Sequence, residues 1–364
     1  MIVCDGRSPE ANTLPNQQPC PERTRLLIGI TDRTLSCVDD RIGDKAALVR
    51  FLHFLIKMDP GAIELSEKMY RLLSPLPEYP SYILRIQNTA DAKKYPPDIY
   101  PYITEFICRN VPATAPIDAR EKIRAEILLD NTLKTSSETI ARYAGYTKVR
   151  VQGLDSLMCD DYMRAFEYLK KSFAGDAGRI EFCPRNHFNC ATALAAEWIT
   201  GGGDHIVTSF GGIGGFAPTE EVIMLLREYG LRGEHKTYAF FPEMAHLFHK
   251  ITKKNINPNK PIIGSRIFHV ESGVHVDGIL KQPKSYEPFA PEIVGNKRKF
   301  VLGKHSGTAS VRAKLSEFNI NCAQEHIPHI LEQIKNKAAE KSGEVTDWEF
   351  ITLTEEQIAR RKLP

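Results

Sequence analysis

Eight short apolar runs recur between Leu26 and Ser209: "LLIGI" from Leu26, "AIEL" from Ala62, "YILRI" from Tyr82, "ITEFIC" from Ile103, "EILL" from Glu126, "KVRVQ" from Lys148, "RIEFC" from Arg179 and "HIVTS" from His205. Each has the length of a strand and is too short for a helix. Several of the intervals carry a helical period. From Asp44 to Met58 the apolar positions Ala47, Leu48, Phe51, Leu52, Leu55 and Met58 return every third or fourth residue behind an Asp cap. Asp161 to Lys171 and Cys190 to Thr200 behave likewise, the second stopping at "GGG". Strands alternating with helices demand a parallel sheet, and no Gly-x-Gly-x-x-Gly follows the first run. The pattern predicts a (β/α)8 TIM barrel over residues 24–234. Its intervals between the third and sixth runs, about 22 residues each, leave room only for short crossover helices.

Pro218 and Gly230 bracket "PTEEVIMLLREYG", the helix expected to close the barrel, with Pro at its first turn and Gly past its end. Beyond it the alternation ceases. Residues 235–364 read as a mostly helical C-terminal appendage, with patterns in "PEMAHLFHKITKK", "TASVRAKLSEF", "AQEHIPHILEQIKNKAAEKSG" and "TDWEFITLTEEQIARR". Residues 1–23 are polar and rich in Pro and Asn, and are expected to form a flexible leader. The chain has 364 residues, 48 Lys plus Arg against 45 Asp plus Glu, and a net charge of +3, so nothing in its overall charge calls for a nucleic acid or an acidic membrane. Eight cysteines without a C-x-x-C pair suit a reducing cytoplasm. No apolar run approaches the roughly 18 residues of a membrane span, and no signal peptide opens the chain.

A barrel presents its chemistry at the C-terminal ends of its strands. Those ends supply Asp32, Arg33 and Cys37 after the first, Ser66 and Glu67 after the second, and Gly153 and Asp155 after the sixth. The seventh supplies Cys183, Arg185, Asn186 and His187, and the eighth Ser209 and "GGIGG". Cys37, Cys183 and His187 could form a soft-metal site, but small buried cysteines are the preferred reading. The Gly-rich loop could cradle a phosphate, although no Lys, Ser or Thr follows it directly. His246 and His249 have a metal-compatible spacing without further ligands. In the appendage, His269, His275, Tyr286 and His305 fall within about 40 residues.

The stretches "ESGVHVDGILKQPKSYEPFAPEIVG", "LGKHSG" and "AAEKSGEVTDWEF" closely resemble the homocitrate synthase and 2-isopropylmalate synthase family, metal-dependent TIM-barrel acyltransferases. "DRTL", "AIEL" and "NHFNCATALAAEWITGGGDHIVTSFGGIGG" extend the likeness through the barrel. The length points to the short homocitrate synthase type. The resemblance implies a divalent metal, held by an Asp after strand one and two His after strand seven, that polarises a 2-oxo acid while an acetyl-CoA enolate attacks it. This chain departs from the pattern where that metal should sit. The family's R-D-G-E-Q reads Ser36, Cys37, Val38, Asp39, Asp40, and its H-A-H-N-D reads Cys183, Pro184, Arg185, Asn186, His187. Its Asn-Gly-x-Gly-Glu-Arg loop reads "GGIGGF", and its Asp-Thr pair after strand six falls on Gly153 and Leu154.

The appendage keeps the family's pattern. His275 and Tyr286 match a His and a Tyr that act in the partner subunit's barrel of the family's dimers, and His305 matches the His of L-G-K-H-S-G. His serves proton transfer near neutral pH, and Tyr can donate to a developing alkoxide. The expectation is a subunit without its own metal at the degenerate positions Cys37, Cys183 and Arg185. It would donate His275, Tyr286 and His305, as a homodimer or a heteromer, to a catalytic paralogue that holds the divalent metal. The substrates would be acetyl-CoA and a 2-oxo acid, 2-oxoglutarate above others. Arg185 and Asp32 are candidate substrate-binding residues. Two alternatives stand beside this: metal-independent chemistry with Arg185 gripping a carboxylate and Cys37 or Cys183 as nucleophile, and a non-catalytic binding partner.

Overall fold

A computed structural model of the chain describes residues 28–38, 44–109, 111–112, 117–129, 143, 145–155, 162–172, 177–233 and 235–360. The expected leader, and Asp39 and Asp40, lie outside these residues.

Eight parallel strands close on themselves: β1 (Gly29–Asp32), β2 (Gly61–Ser66), β3 (Tyr82–Arg85), β4 (Ile103–Cys108), β5 (Ile123–Leu128), β6 (Val149–Gly153), β7 (Ile180–Pro184) and β8 (His205–Ser209). Consecutive strands pair in order, and β1 pairs with β8 in the register Gly29 to His205 through Asp32 to Thr208. This is the barrel that the alternating runs predict. Closure removes the sheet edges that an open array would expose. The helices form as their periods dictate. Asp44 accepts a hydrogen bond from the Ala47 amide at 2.9 Å and starts helix Lys45–Met58, which buries its apolar stripe and ends at Asp59 in the left-handed region. Helices Ala191–Thr200 and Thr219–Glu228 stop at Gly201 and Tyr229. Between β3 and β5 the connections shrink to a 3-10 segment, Thr89–Lys94, and the short helix Ile117–Lys122, as the tight intervals require.

Helix Phe241–Thr252 lies against helix Lys45–Met58 through an aromatic cluster in which the Phe51 and Phe210 rings are 5.7 Å apart and Phe210 and Phe248 5.6 Å. Further along, Leu302, Val311, Leu315, Ile327, Ile330, Ile334, Val345 and Phe350 form a second apolar core among helices Thr308–Glu317, Ile327–Lys341 and Asp347–Arg360. No helix among the described residues is long and apolar enough to cross a membrane.

The barrel interior is unusual in its charge. Several strands alternate, sending apolar side chains such as Ile63, Leu65, Leu84 and Phe182 to the surrounding core and charged ones such as Glu64, Arg85 and Glu181 inward. Arg150 donates to Glu181 at 2.7 Å and pairs with Glu64; Arg124 donates to Glu181 at 2.7 Å and pairs with Glu105. Arg85 binds Glu64 and clamps Glu126 through two bonds of 2.8 and 3.0 Å. The surrounding guanidiniums outweigh the desolvation of these acids and hold Glu64 well below the carboxylate range and Glu181 at about 2.

Candidate active site

At the end of β1 the chain turns through the short helix Thr34–Cys37. Asp32 organises this turn. Fully buried, it accepts from the Thr34 amide at 2.9 Å and from the Thr219 hydroxyl at 2.6 Å. Burial nevertheless outweighs those bonds and pushes its carboxyl up to about 6. Both oxygens face protein partners.

The next residue, Arg33, sends its side chain down the barrel axis. Nη1 donates to Gln152 Oε1 at 3.2 Å and reaches the Cys183 sulfur at 3.6 Å, with Glu64 and Glu126 each 3.8 Å from the guanidinium. Its Nε is buried without a hydrogen-bond partner. The guanidinium carbon lies 4.0 Å from the centroid of the Phe216 ring, and that of Arg185 lies 5.1 Å from the same centroid. Phe216, Cys183 and Val207 form one buried cluster against which Cys37 packs. Gly214, at φ 78°, admits this packing: a Cβ there would sit 2.8 Å from the Phe216 ring and 3.0 Å from the Cys37 sulfur.

Burial pushes the Cys183 thiol up to about 11 and raises that of Cys37, more than the neighbouring Arg33 lowers either. Both are therefore held as thiols at neutral pH, the unreactive form. Two protonated thiols among guanidiniums are a poor donor set for a divalent cation, which needs anionic or neutral lone pairs. Among the described residues no three His, Cys, Asp or Glu side chains converge as a cation site.

Beside this cluster, Arg185 is half-buried. Its Nη2 is 3.2 Å from His187 Nε2, while His187 Nδ1 is 2.7 Å from Asp155. The Gly-rich loop places Gly211, Gly212, Gly214 and Gly215 at positive φ and lines a cleft of about 220 Å³ with Phe248, Lys254 and Lys260. Lys260 is engaged there by Glu221 at 2.8 Å and Glu220 at 3.3 Å. His246 and His249 lie on helix Phe241–Thr252 with no third ligand beside them among the described residues.

The appendage presents a different surface. Helix Gly273–Lys281 buries Val276 and Ile279 and leaves His275 exposed, with Val274 75% and Leu280 60% exposed. Tyr286, 46% exposed, folds back so that its ring centroid is 5.8 Å from that of His275. Gly278 makes room for it, since a Cβ would collide with the Tyr286 ring. The "LGKHSG" segment is fastened to the same helix. Gly273 and Gly307 touch backbone to backbone, the His305 amide donates to Glu271 at 2.7 Å, and Ser310 donates to the Glu271 carbonyl at 3.2 Å. Together these place His275, Tyr286 and His305 on one stretch of appendage. His269 sits apart on a short strand, His269–Val270, where partial burial, Arg266 and Lys299 depress its basicity.

The sequence offers Arg33 only as a strand-end residue without a role, and it gives Phe216 none; the structure brings the two together. A signal lies in the strands themselves: "IRAEI" carries charges at alternate positions, and "YILR" and "VRVQ" one each in otherwise apolar runs, which marks an inward-facing ionic layer needing its own neutralisation.

Comparison with known proteins bears on both parts. Residues 262–342 match the family model described as homocitrate synthase post-HMGL domain-like. The omega subunit of homocitrate synthase from Clostridium pasteurianum is 38% identical over 180 residues, covering 49% of this chain and 50% of that one. Homocitrate synthase AksA from Methanothermobacter thermautotrophicus is 36% identical over 211 residues, covering 56% and 54%. The chain thus spans about half the length of the curated relatives it matches. Among solved structures, the barrel is similar to the HMG-CoA lyase of Bacillus subtilis, with a TM-score of 0.50 at 12% identity over 64% of this chain and 95% of that one, a likeness of fold. An HMG-CoA lyase of Acinetobacter baumannii gives 0.51 at 9% identity over 64% and 94%.

Proposed function

From the match of residues 262–342 and the likeness to homocitrate synthases, we propose that the chain belongs to the homocitrate synthase and 2-isopropylmalate synthase family, as a homocitrate synthase-type subunit whose appendage completes the active site of a catalytic paralogue. The observation that carries this is the contrast in presentation: His275 and Tyr286 stand exposed and paired at 5.8 Å, while the chain's own barrel mouth is filled by Phe216. The partner barrel would hold the divalent ion, which supplies Lewis-acid activation of the 2-oxo acid. In the condensation of acetyl-CoA with 2-oxoglutarate, His275 moves the proton at the reacting centre, and the Tyr286 hydroxyl donates to the oxygen that becomes alkoxide. His305, tethered to Glu271, borders the same surface. The name of the clostridial relative, a subunit, agrees with a function exercised in a complex.

The test is coenzyme A release from acetyl-CoA and 2-oxoglutarate, measured with this protein alone, with a paralogue whose metal ligands are intact, and with both. Activity is expected in the mixture, and His275→Ala should remove most of the increment that this chain adds. An unchanged mixture would sink the donation reading and leave a purely binding partner.

A second reading, altered chemistry in the chain's own barrel, draws on Arg185, whose guanidinium lies beside the His187–Asp155 pair and can grip a carboxylate. The raised Cys37 and Cys183 thiols speak against its nucleophilic form. Preferential alkylation of either by iodoacetamide at neutral pH would restore it.

A further inference from the structure

The centre of the barrel mouth contains its own cation. We infer that Arg33 and Phe216 form a built-in plug: a guanidinium stacked under an aromatic ring, occupying the space that the three degenerate metal positions surround and making the barrel independent of any divalent ion. The inference stands whether or not His275 and Tyr286 serve a partner.

Geometry and charge carry it together. Phe216 is the side chain that meets all three positions, packing with Cys37 and Cys183 and lying under Arg185 at 5.1 Å. It is only 4% exposed. Directly beneath, Arg33 is 4.0 Å from its centroid and 3.6 Å from the Cys183 sulfur. The charge is unfavourable as well. Glu64, Glu105, Glu126 and Glu181 on the inner strands face Arg33, Arg85, Arg124 and Arg150, while Arg109 also reaches Glu126 and Lys148 also reaches Glu105. A divalent ion added to this set would bring two uncompensated charges into a buried site whose acids are already neutralised. Removing Arg33 takes a buried cation away and an Asp at position 37 adds an anion, both changes that favour a dication. Restoring ligands without removing the plug therefore leaves the ion neither space nor compensating charge.

Two measurements test this. Free Mn2+ is titrated by electron paramagnetic resonance against the wild type, the triple variant Cys37→Asp, Cys183→His, Arg185→His, and the same triple carrying Arg33→Ala and Phe216→Ala. The triple should bind no more tightly than wild type, and the five-fold variant at least ~10-fold more tightly. Strong binding by the triple, or none by a folded five-fold variant, overturns the inference. In unaltered protein, Cys183 should resist a small thiol reagent, read by peptide mass spectrometry, and Phe216→Ala should speed its labelling at least ~10-fold while Phe216→Tyr does not. Rapid labelling of Cys183 in the wild type, or no effect of Phe216→Ala, equally refutes the plug, and this arm does not require the multiple variants to fold.

Discussion

The barrel mouth and the appendage face use the same kinds of residue in opposite ways. At the mouth, arginines, glutamates and cysteines are turned inward, paired and covered: Arg150, Glu64 and Glu181 are almost wholly removed from solvent, and Phe216 seals the top. On the appendage, His275, Tyr286 and His305 are turned outward and held by backbone devices, with glycines at 273, 278 and 307 setting the close approaches. A buried charge depends on each of its partners, so the mouth behaves as structure. An exposed and positioned pair contributes little to stability and is free to act on something else.

The largest expected effect breaks the mouth. Arg150 touches Glu64, Glu126 and Glu181. Arg150→Met strands those acids and should cost about 3–5 kcal/mol in a urea unfolding titration. His275→Ala should leave the same titration unchanged within about 0.5 kcal/mol. Equal losses would erase the distinction between the two regions.

A smaller effect sharpens it through pH. Burial raises the Asp32 carboxyl from near 3.8 to about 6. The folded chain then holds this proton over a range where the unfolded chain has released it. Stability contributed by the neutral form is complete below about 3.8 and is lost as pH rises through about 6. Asp32→Asn keeps an acceptor for the Thr34 amide and abolishes the ionisation. It should stabilise the protein by about 1–3 kcal/mol at pH 7 and by nothing at pH 3.5. Glu181 works in the opposite direction: held at about 2, it contributes stability above the ordinary range near 4.5 that disappears as pH falls towards 2. Unfolding followed against pH in wild type and Asp32→Asn separates the two.

How legible this was in the sequence differs between the regions for a physical reason. The strands were readable because burial on the outer face imposes period and length: "ITEFIC" and "HIVTS" coincide with β4 and β8. Helix Lys45–Met58 was readable from its stripe and its Asp44 cap. That Cys37, Cys183 and Arg185 stand where the resemblance expects metal ligands is a reading of the sequence alone. What filled the space was not legible there, because Arg33 and Phe216 are 183 residues apart in sequence, by subtraction of their numbers, and meet only when β1 closes on β8. A guanidinium at a strand end reads as a surface charge until the register turns it inward. Likewise "GVHVDGILK" announced a helix and a candidate His, whereas the need for Gly278 appears only when Tyr286 folds back over it.

Gly278 gives the next test. In Gly278→Ala the new methyl displaces the Tyr286 ring from His275. The mixed-subunit activity should fall about 10-fold, equivalent to about 1.4 kcal/mol of transition-state stabilisation. Labelling of Cys183 should not change, since the mouth is untouched. A fall in activity accompanied by exposure of Cys183 would mean that the two regions are not separable.

The smallest effect on the fold concerns Val274, which is 75% exposed on the first turn of helix Gly273–Lys281. An exposed apolar side chain offers the isolated protein almost nothing, so Val274→Ser should change its unfolding free energy by no more than about 0.5 kcal/mol. If the helix enters a partner, the same side chain is desolvated there, and losing its apolar surface should weaken subunit association by about 1 kcal/mol. Analytical ultracentrifugation of the mixed subunits checks this. The comparison of the two regions would then rest on a residue outside the proposed chemistry: silent in its own fold, and felt only in the complex. Unaltered association with Val274→Ser would place the contact surface elsewhere and leave His275 and Tyr286 without a partner on this face.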